Sequence, residues 1–94
     1  MGPFRLQLYI AGDTPISQKA RENLQRLCER HPAASEAVVI DILSEPALAD
    51  EARILATPTL ICEHLTRSKR IIGDLGDTDR VAEFLGLQQH PIEP

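Results

Sequence analysis

The sequence predicts one α/β domain with the element order β-α-β-α-β-β-α, on three observations. Two strand-like runs, residues 4–12 and 36–43, flank an amphipathic helical stretch, the pattern of a parallel βαβ unit. Two later runs, opening at Pro58 and at Arg67, are joined by a short polar connection, the pattern of an antiparallel hairpin. A last helical pattern follows the breaks at Gly73 and Gly76. The whole chain, 94 residues, suits a single domain, 1–94, with 4–87 expected to be ordered.

In the first strand, "FRLQLYIAG" (4–12), Leu6, Leu8 and Ile10 alternate with Arg5, Gln7 and Tyr9. Its later residues are apolar on both sides, as in a strand covered on one face and partly on the other. Gly12-Asp13 ends it. Thr14-Pro15 then reads as a helix start: a hydroxyl cap, and a proline whose missing N–H costs nothing at the first helical position. Ile16, Ala20, Leu24, Leu27 and Cys28 form one apolar stripe. Lys19, Glu22, Arg26, Glu29 and Arg30 cover the other side, and His31-Pro32 stops the helix.

"EAVVIDIL" (36–43) is β-branched and bounded by loops, so it is the second strand, parallel to the first through a right-handed crossover. Ser44 is the expected cap of a second helix, "PALADEARIL" (46–55), with Leu48, Ala52 and Leu55 pointing inward. "ATPTLICEHL" (56–65) supplies the third strand. Proline cannot donate a ladder bond, so Pro58 must stand at a strand's first residue, at an edge or in a special turn. "TRSK" is a polar turn, and "RSKRIIGDL" (67–75) is the fourth strand. Asp77 is the expected cap of the last helix. Asp79 adds negative charge to its first turn, and Val81, Phe84 and Leu85 are spaced helically. The tail "QQHPIEP" carries two prolines and is expected to fray.

Composition excludes several classes. The net charge is −4 and the 10 basic residues are scattered, which argues against phosphate-driven nucleic-acid binding. There is no apolar run of about 18 residues, hence no expected membrane span. The N-terminus lacks a charged region followed by a long apolar one, so no signal peptide is expected and the cytoplasm is the expected compartment. Cys28 and Cys62 stand alone with no C-x-x-C, which fits buried thiols better than a disulfide framework.

The order β-α-β-α-β-β-α is the thioredoxin-like arrangement. There a proline at the start of the third strand, usually cis, lies beside the loop after the first strand, and Pro58 falls at that place. A redox enzyme of this fold carries its nucleophilic cysteine in that loop, where the helix dipole lowers the thiol pKa. Here the loop reads "AGDTPISQ" (11–18), without cysteine. Thr14 and Ser17 read as caps, and Cys28 as core. Cys62, four residues past Pro58, is either buried or partner-facing. His31, His64 and His90 have no ligand-like spacing, and no glycine-rich phosphate loop exists, so neither metal nor cofactor is expected. Arg67, Lys69 and Arg70 read either as an edge-strand guard or as a contact for an acidic partner. An enzyme scaffold with its catalytic position empty points to a binding module.

Four motifs in order, "LQLYIAGDTPIS" (6–17), "VIDIL" (39–43), "ILATPTL" (54–60) and "RIIGDL" (70–75), resemble the KaiB family of circadian-clock proteins. The resemblance runs from Leu6 to Leu85. Sensor domains of clock histidine kinases share the A-T-P motif but lose R-I-I-G-D-L, and fit less well. The resemblance implies a non-enzymatic regulator that binds the hexameric ATPase KaiC. Some relatives then sequester KaiA or displace a histidine-kinase sensor domain. It also implies fold switching. The N-terminal half stays put, while the C-terminal half is thioredoxin-like or rearranged, β-α-β-β-α-α-β overall, in a self-associating dimer or tetramer.

By resemblance the partner face maps onto Ala47, Leu48, Glu51, Arg53, Thr57 and Pro58, with Lys69 and Arg70. Arg53 stands where the family often has lysine. Two departures matter. Relatives usually carry a proline run where this chain has Leu65, Thr66 and Arg67. The segment "DTDRVAEFLGL" (77–87), a strand in the rearranged state, has caps and spacing that favour helix, with Val81 its lone β-branched apolar residue. The thioredoxin-like form is therefore expected to be populated more here than in typical relatives. The alternatives are a thioredoxin-like redox or stress-response protein using a lone cysteine, and a sensor-type interaction domain.

Overall fold

A computed structural model describes residues 4–34 and 36–87. The expectation for the tail, and His90, lie outside the described residues. The elements run β1 (Arg5–Ile10), α1 (Pro15–Arg30), β2 (Glu36–Asp41), α2 (Pro46–Ala52), β3 (Thr59–His64), β4 (Arg67–Ile72) and α3 (Thr78–Leu85). This is the expected order. The four strands lie β2-β1-β3-β4. β1 and β2 are parallel, and the β1–β3 and β3–β4 pairs are antiparallel.

Strand register sorts the side chains into two faces. On one face Leu6, Leu8 and Ile10 of β1 and Leu60 and Cys62 of β3 meet Ala20, Leu24 and Leu27 of α1 and Val81, Ala82 and Leu85 of α3. This is the core. Leu8, Ile10, Leu27 and Leu60 are fully buried, each contributing about 1.5–3 kcal/mol of apolar burial. On the second face Tyr9 and Ile61 are buried, but Val38 of edge strand β2 is 53% exposed. α2 stands over this face: Arg70 reaches its last carbonyls, and Glu51 belongs to the electrostatic surroundings of Tyr9.

The caps of the first and last helices form as their chemistry dictates. The Thr14 side chain accepts from the Ser17 N–H at 3.2 Å with Pro15 at the first helical position, and Asp77 accepts from the Arg80 N–H at 3.2 Å. Asp79 adds an ion pair to Arg30 of α1 at 3.1 Å. Gly86, in the left-handed region at φ 84°, closes α3.

Several expectations are corrected. α2 begins one residue after Glu45, not after a Ser44 cap, because the Ser44 and Glu45 N–H groups both donate to the Asp41 carbonyl in the preceding turn. α2 also stops at Ala52, three residues short of the expected end. Arg53 adopts the left-handed conformation, φ 56°, and the Arg53 and Ile54 N–H groups fold back to the Ala49 carbonyl. The inward residue of α2 is therefore Ala49. Leu48 is exposed, Ala52 is only partly covered, and Leu55, beyond the helix, is 95% exposed. On α1, Ile16 is exposed although it continues the apolar stripe. Ser17 is buried instead, with its hydroxyl accepting from the Thr14 hydroxyl and donating to the Ala11 carbonyl. Phe84, helically spaced with Val81, is half-exposed.

Candidate docking surface

The Thr57–Pro58 peptide bond is cis. Tyr9 pairs with Thr59, so continuing the register sets Pro58 opposite Ile10, at the mouth of the loop into α1. That loop is held from below. The Asp41 carboxylate accepts from the Gly12 and Leu43 N–H groups, each at 3.0 Å. Gly12 is in the left-handed region at φ 70°, and a Cβ there would lie 3.2 Å from the Leu43 side chain. The two backbone donors, Gly12 first, hold the Asp41 pKa below its ordinary value. A carboxyl lowered on folding adds stability that is fully present above its unfolded value, about 3.9, and is lost as pH falls through the folded value. Asp41→Asn is accordingly expected to flatten the acid limb of the stability profile below about pH 4, measured by chemical denaturation across pH. An unchanged acid limb would show that these bonds do not favour the ionised form.

Thiol chemistry is disfavoured at both cysteines. Cys62 is buried in the core, and burial pushes its thiol up to about 11, so it is protonated at neutral pH. Burial, then Glu29, raises the Cys28 thiol on α1. The position where a thioredoxin would carry its nucleophile is filled by Asp13, Thr14 and the Ser17 hydroxyl, all committed to local hydrogen bonds. Among the described residues no group of His, Cys, Asp and Glu could hold a metal ion, and no helix is long and apolar enough to cross a membrane.

The residues singled out for partner binding divide into three sets. Ala47, Leu48, Glu51 and Arg53 are exposed on α2 and its C-terminal turn. Arg70 joins them although it lies on β4. Its guanidinium donates to the Arg53 carbonyl at 3.1 Å and to the Ala52 carbonyl, so the cation closes the helix end where the dipole is negative. Thr57 is half-buried and Pro58 fully buried, so Pro58 shapes the turn without presenting a surface. Lys69 is on the opposite face. Its ammonium donates to the Phe84 carbonyl at 2.7 Å and stands 5.1 Å from the Phe84 ring centre. Exposed aliphatics that the sequence reading did not assign to this surface, Leu43 at 71% and Leu55 at 95%, flank α2 on its two connecting loops. Helical periodicity turns Leu55 inward and does not reach Leu43, because both lie outside the helix.

Asn23 was also missed. It is 2% exposed on α1, donates through Nδ2 to the Asp74 carbonyl at 2.7 Å, and accepts from Arg26 at 3.0 Å. It pins the N-terminal half to the turn after β4. The one sequence signal is a polar residue next to Leu24 on the edge of the apolar stripe.

The fold and this loop define a class: a thioredoxin-like domain without a cysteine at the start of its first helix. Solved structures agree on the fold. Mitochondrial thioredoxin 3 of Saccharomyces cerevisiae superposes with TM-score 0.74 at 17% identity, covering 90% of this chain and 78% of that one. The N-terminal domain of SasA from Synechococcus elongatus superposes with TM-score 0.70 at 23% identity, covering 99% and 91%.

The KaiB domain family profile matches residues 7–87, and the chain belongs to the KaiB family. It is similar to the circadian clock oscillator protein KaiB of Synechococcus sp. strain RCC307, 47% identical over 87% of this chain and 76% of that protein. The protein of the same name from Prochlorococcus marinus strain MIT 9211 is 48% identical over 87% and 73%.

Proposed function

We propose that this chain is a non-enzymatic timing regulator that docks on a KaiC-like hexameric ATPase through α2 and its C-terminal turn. The observation that carries the reading is the Arg70 clasp. It ties β4 to the end of α2 and holds Leu48, Glu51 and Arg53 outward as one surface of mixed charge with an apolar anchor. The kinship with circadian clock oscillator proteins supports a role in timing. The high pKa of the Cys62 thiol and the hydroxyl-filled loop before α1 disfavour the redox alternative.

In this proposal the thioredoxin-like arrangement is the docking state. A rearranged C-terminal half belongs to a less populated, self-associated form of the free chain, a dimer or tetramer. A KaiA-like protein or a histidine-kinase sensor domain is a further partner of the docked chain.

The test is co-elution of the purified chain with the KaiC-like ATPase of its own host, with and without ATP. A complex on the ATPase ring is the expected result. Separate elution under both conditions, together with no heat in calorimetry, would overturn the proposal.

A further inference from the structure

The second open edge of the sheet is β4, on which Ser68, Arg70 and Ile72 are exposed. The Gly73 N–H donates to the Pro58 carbonyl, and Ile71 pairs with Leu60. Hydrogen-bonded and non-bonded pairs alternate along an antiparallel ladder, so Ser68, Arg70 and Ile72 turn their N–H and C=O groups to the open edge. Lysine and arginine on an edge strand ordinarily guard it. Here the guards are drawn aside: Lys69 down onto the Phe84 carbonyl, and Arg70 over to the α2 carbonyls on the other face.

Beside this edge, on the α3 side, runs a shallow groove of about 300 Å³, lined by Ile71, Val81 and Phe84 and flanked by Arg70 and Arg80. Phe84 is 51% exposed there, and Ile72 is 69% exposed at the end of the strand. The local charge is positive. Among the described residues none of Arg67, Lys69, Arg70 and Arg80 lies in an ion pair, although the whole chain carries −4. Of the acids on and before α3, Asp79 pairs with Arg30 and the cap Asp77 accepts from the Arg80 N–H, which leaves Glu83 as the one acid of the helix beside the four cations.

We propose that the β4 edge is a strand-addition site for an extended acidic segment of a partner protein. Its apolar side chains, at alternate positions, enter the Ile71–Val81–Phe84 groove. Main-chain hydrogen bonds to Ser68, Arg70 and Ile72 supply affinity, and the groove and the cations supply selectivity. A second copy of this chain is the poorer occupant. The symmetric antiparallel register that uses all three outward residues sets Arg70 against its own copy, and like charges directly opposite are destabilising; the registers centred on Lys69 or Ile71 pair only two of the three within the strand. The proposal does not rest on docking to the ATPase, because it uses the backbone edge and the α3 side instead of the α2 surface.

The probe is a blocked seven-residue peptide alternating aspartate and valine, titrated into the ¹⁵N-labelled chain. The expected result is salt-sensitive shifts of the Ser68, Arg70 and Ile72 amides. N-methylation of alternate peptide amides, or aspartate replaced by lysine, is expected to weaken binding at least about tenfold. Arg80→Glu and Phe84→Ser should weaken it while the rest of the amide spectrum stays in place. Absence of shifts at millimolar peptide, equal binding of the N-methylated peptide, or shifts centred on β2 or α2 would overturn the proposal. So would concentration-dependent protection of the β4 amides without peptide, which would give the edge to a second copy.

Discussion

Leu48→Glu is expected to weaken binding to a KaiC-like ATPase at least about tenfold, the loss of one apolar anchor at the centre of an interface. The reason is its place on the molecule. Leu48 is 39% exposed, Ala49 takes the buried position of α2, and Leu48 is the apolar residue that this helix offers to a partner. The same substitution should leave the isolated chain folded, because exposed positions away from caps and buried networks usually change stability by less than about 0.5 kcal/mol. Arg53→Glu reverses the charge beside it and should act in the same direction. Calorimetry on the ATPase, paired with thermal unfolding of the free chain, separates the two effects. A Leu48→Glu chain that binds normally removes α2 from the interface. One that unfolds shows that Leu48 serves the core.

The second large effect is expected at Asn23. Its amide, on a buried side chain, donates to the partly buried Asp74 carbonyl across 51 positions of sequence. Asn23→Ala leaves that carbonyl without its donor, at a cost of about 1–3 kcal/mol in unfolding free energy. Asn23 lies in the half expected to stay fixed, and Asp74 in the half expected to rearrange. The substitution should therefore also raise the population of any rearranged, self-associated form, read by sedimentation. Stability unchanged within about 0.5 kcal/mol would show that the bond holds nothing. Under the proposed docking function this coupling carries weight. A docking-competent state at about 1% weakens apparent affinity by about 2.7 kcal/mol, so a bond of this size sets much of the balance.

What the sequence disclosed and what it hid follow from the range of the interactions. Thr14-Pro15 and Asp77 were legible because a cap is settled within three residues, and both helices start there. The parallel βαβ unit and the hairpin were legible from strand-like runs and the lengths of their connections. Pro58 was legible because a residue without an N–H has few places in a sheet. The end of α2 was not, because it depends on Arg53 entering the left-handed region and on a guanidinium from β4. Nor was the exposure of Ile16 and Leu55. Periodicity says which residues share a side, but not whether another layer covers that side. The predicted partner residues split for a simple reason: Lys69 and Arg70 are consecutive on a strand, so they face opposite sides of the sheet, and only Arg70 can reach α2.

The central claim is that the free chain keeps its C-terminal half in the thioredoxin-like arrangement and so presents the α2 surface ready-made. Backbone chemical shifts of the free protein over Thr78–Leu85 test it most directly. Helical values throughout, with Thr59–His64 and Arg67–Ile72 extended, are the predicted result. Strand values across Thr78–Leu85 in the free chain would contradict it.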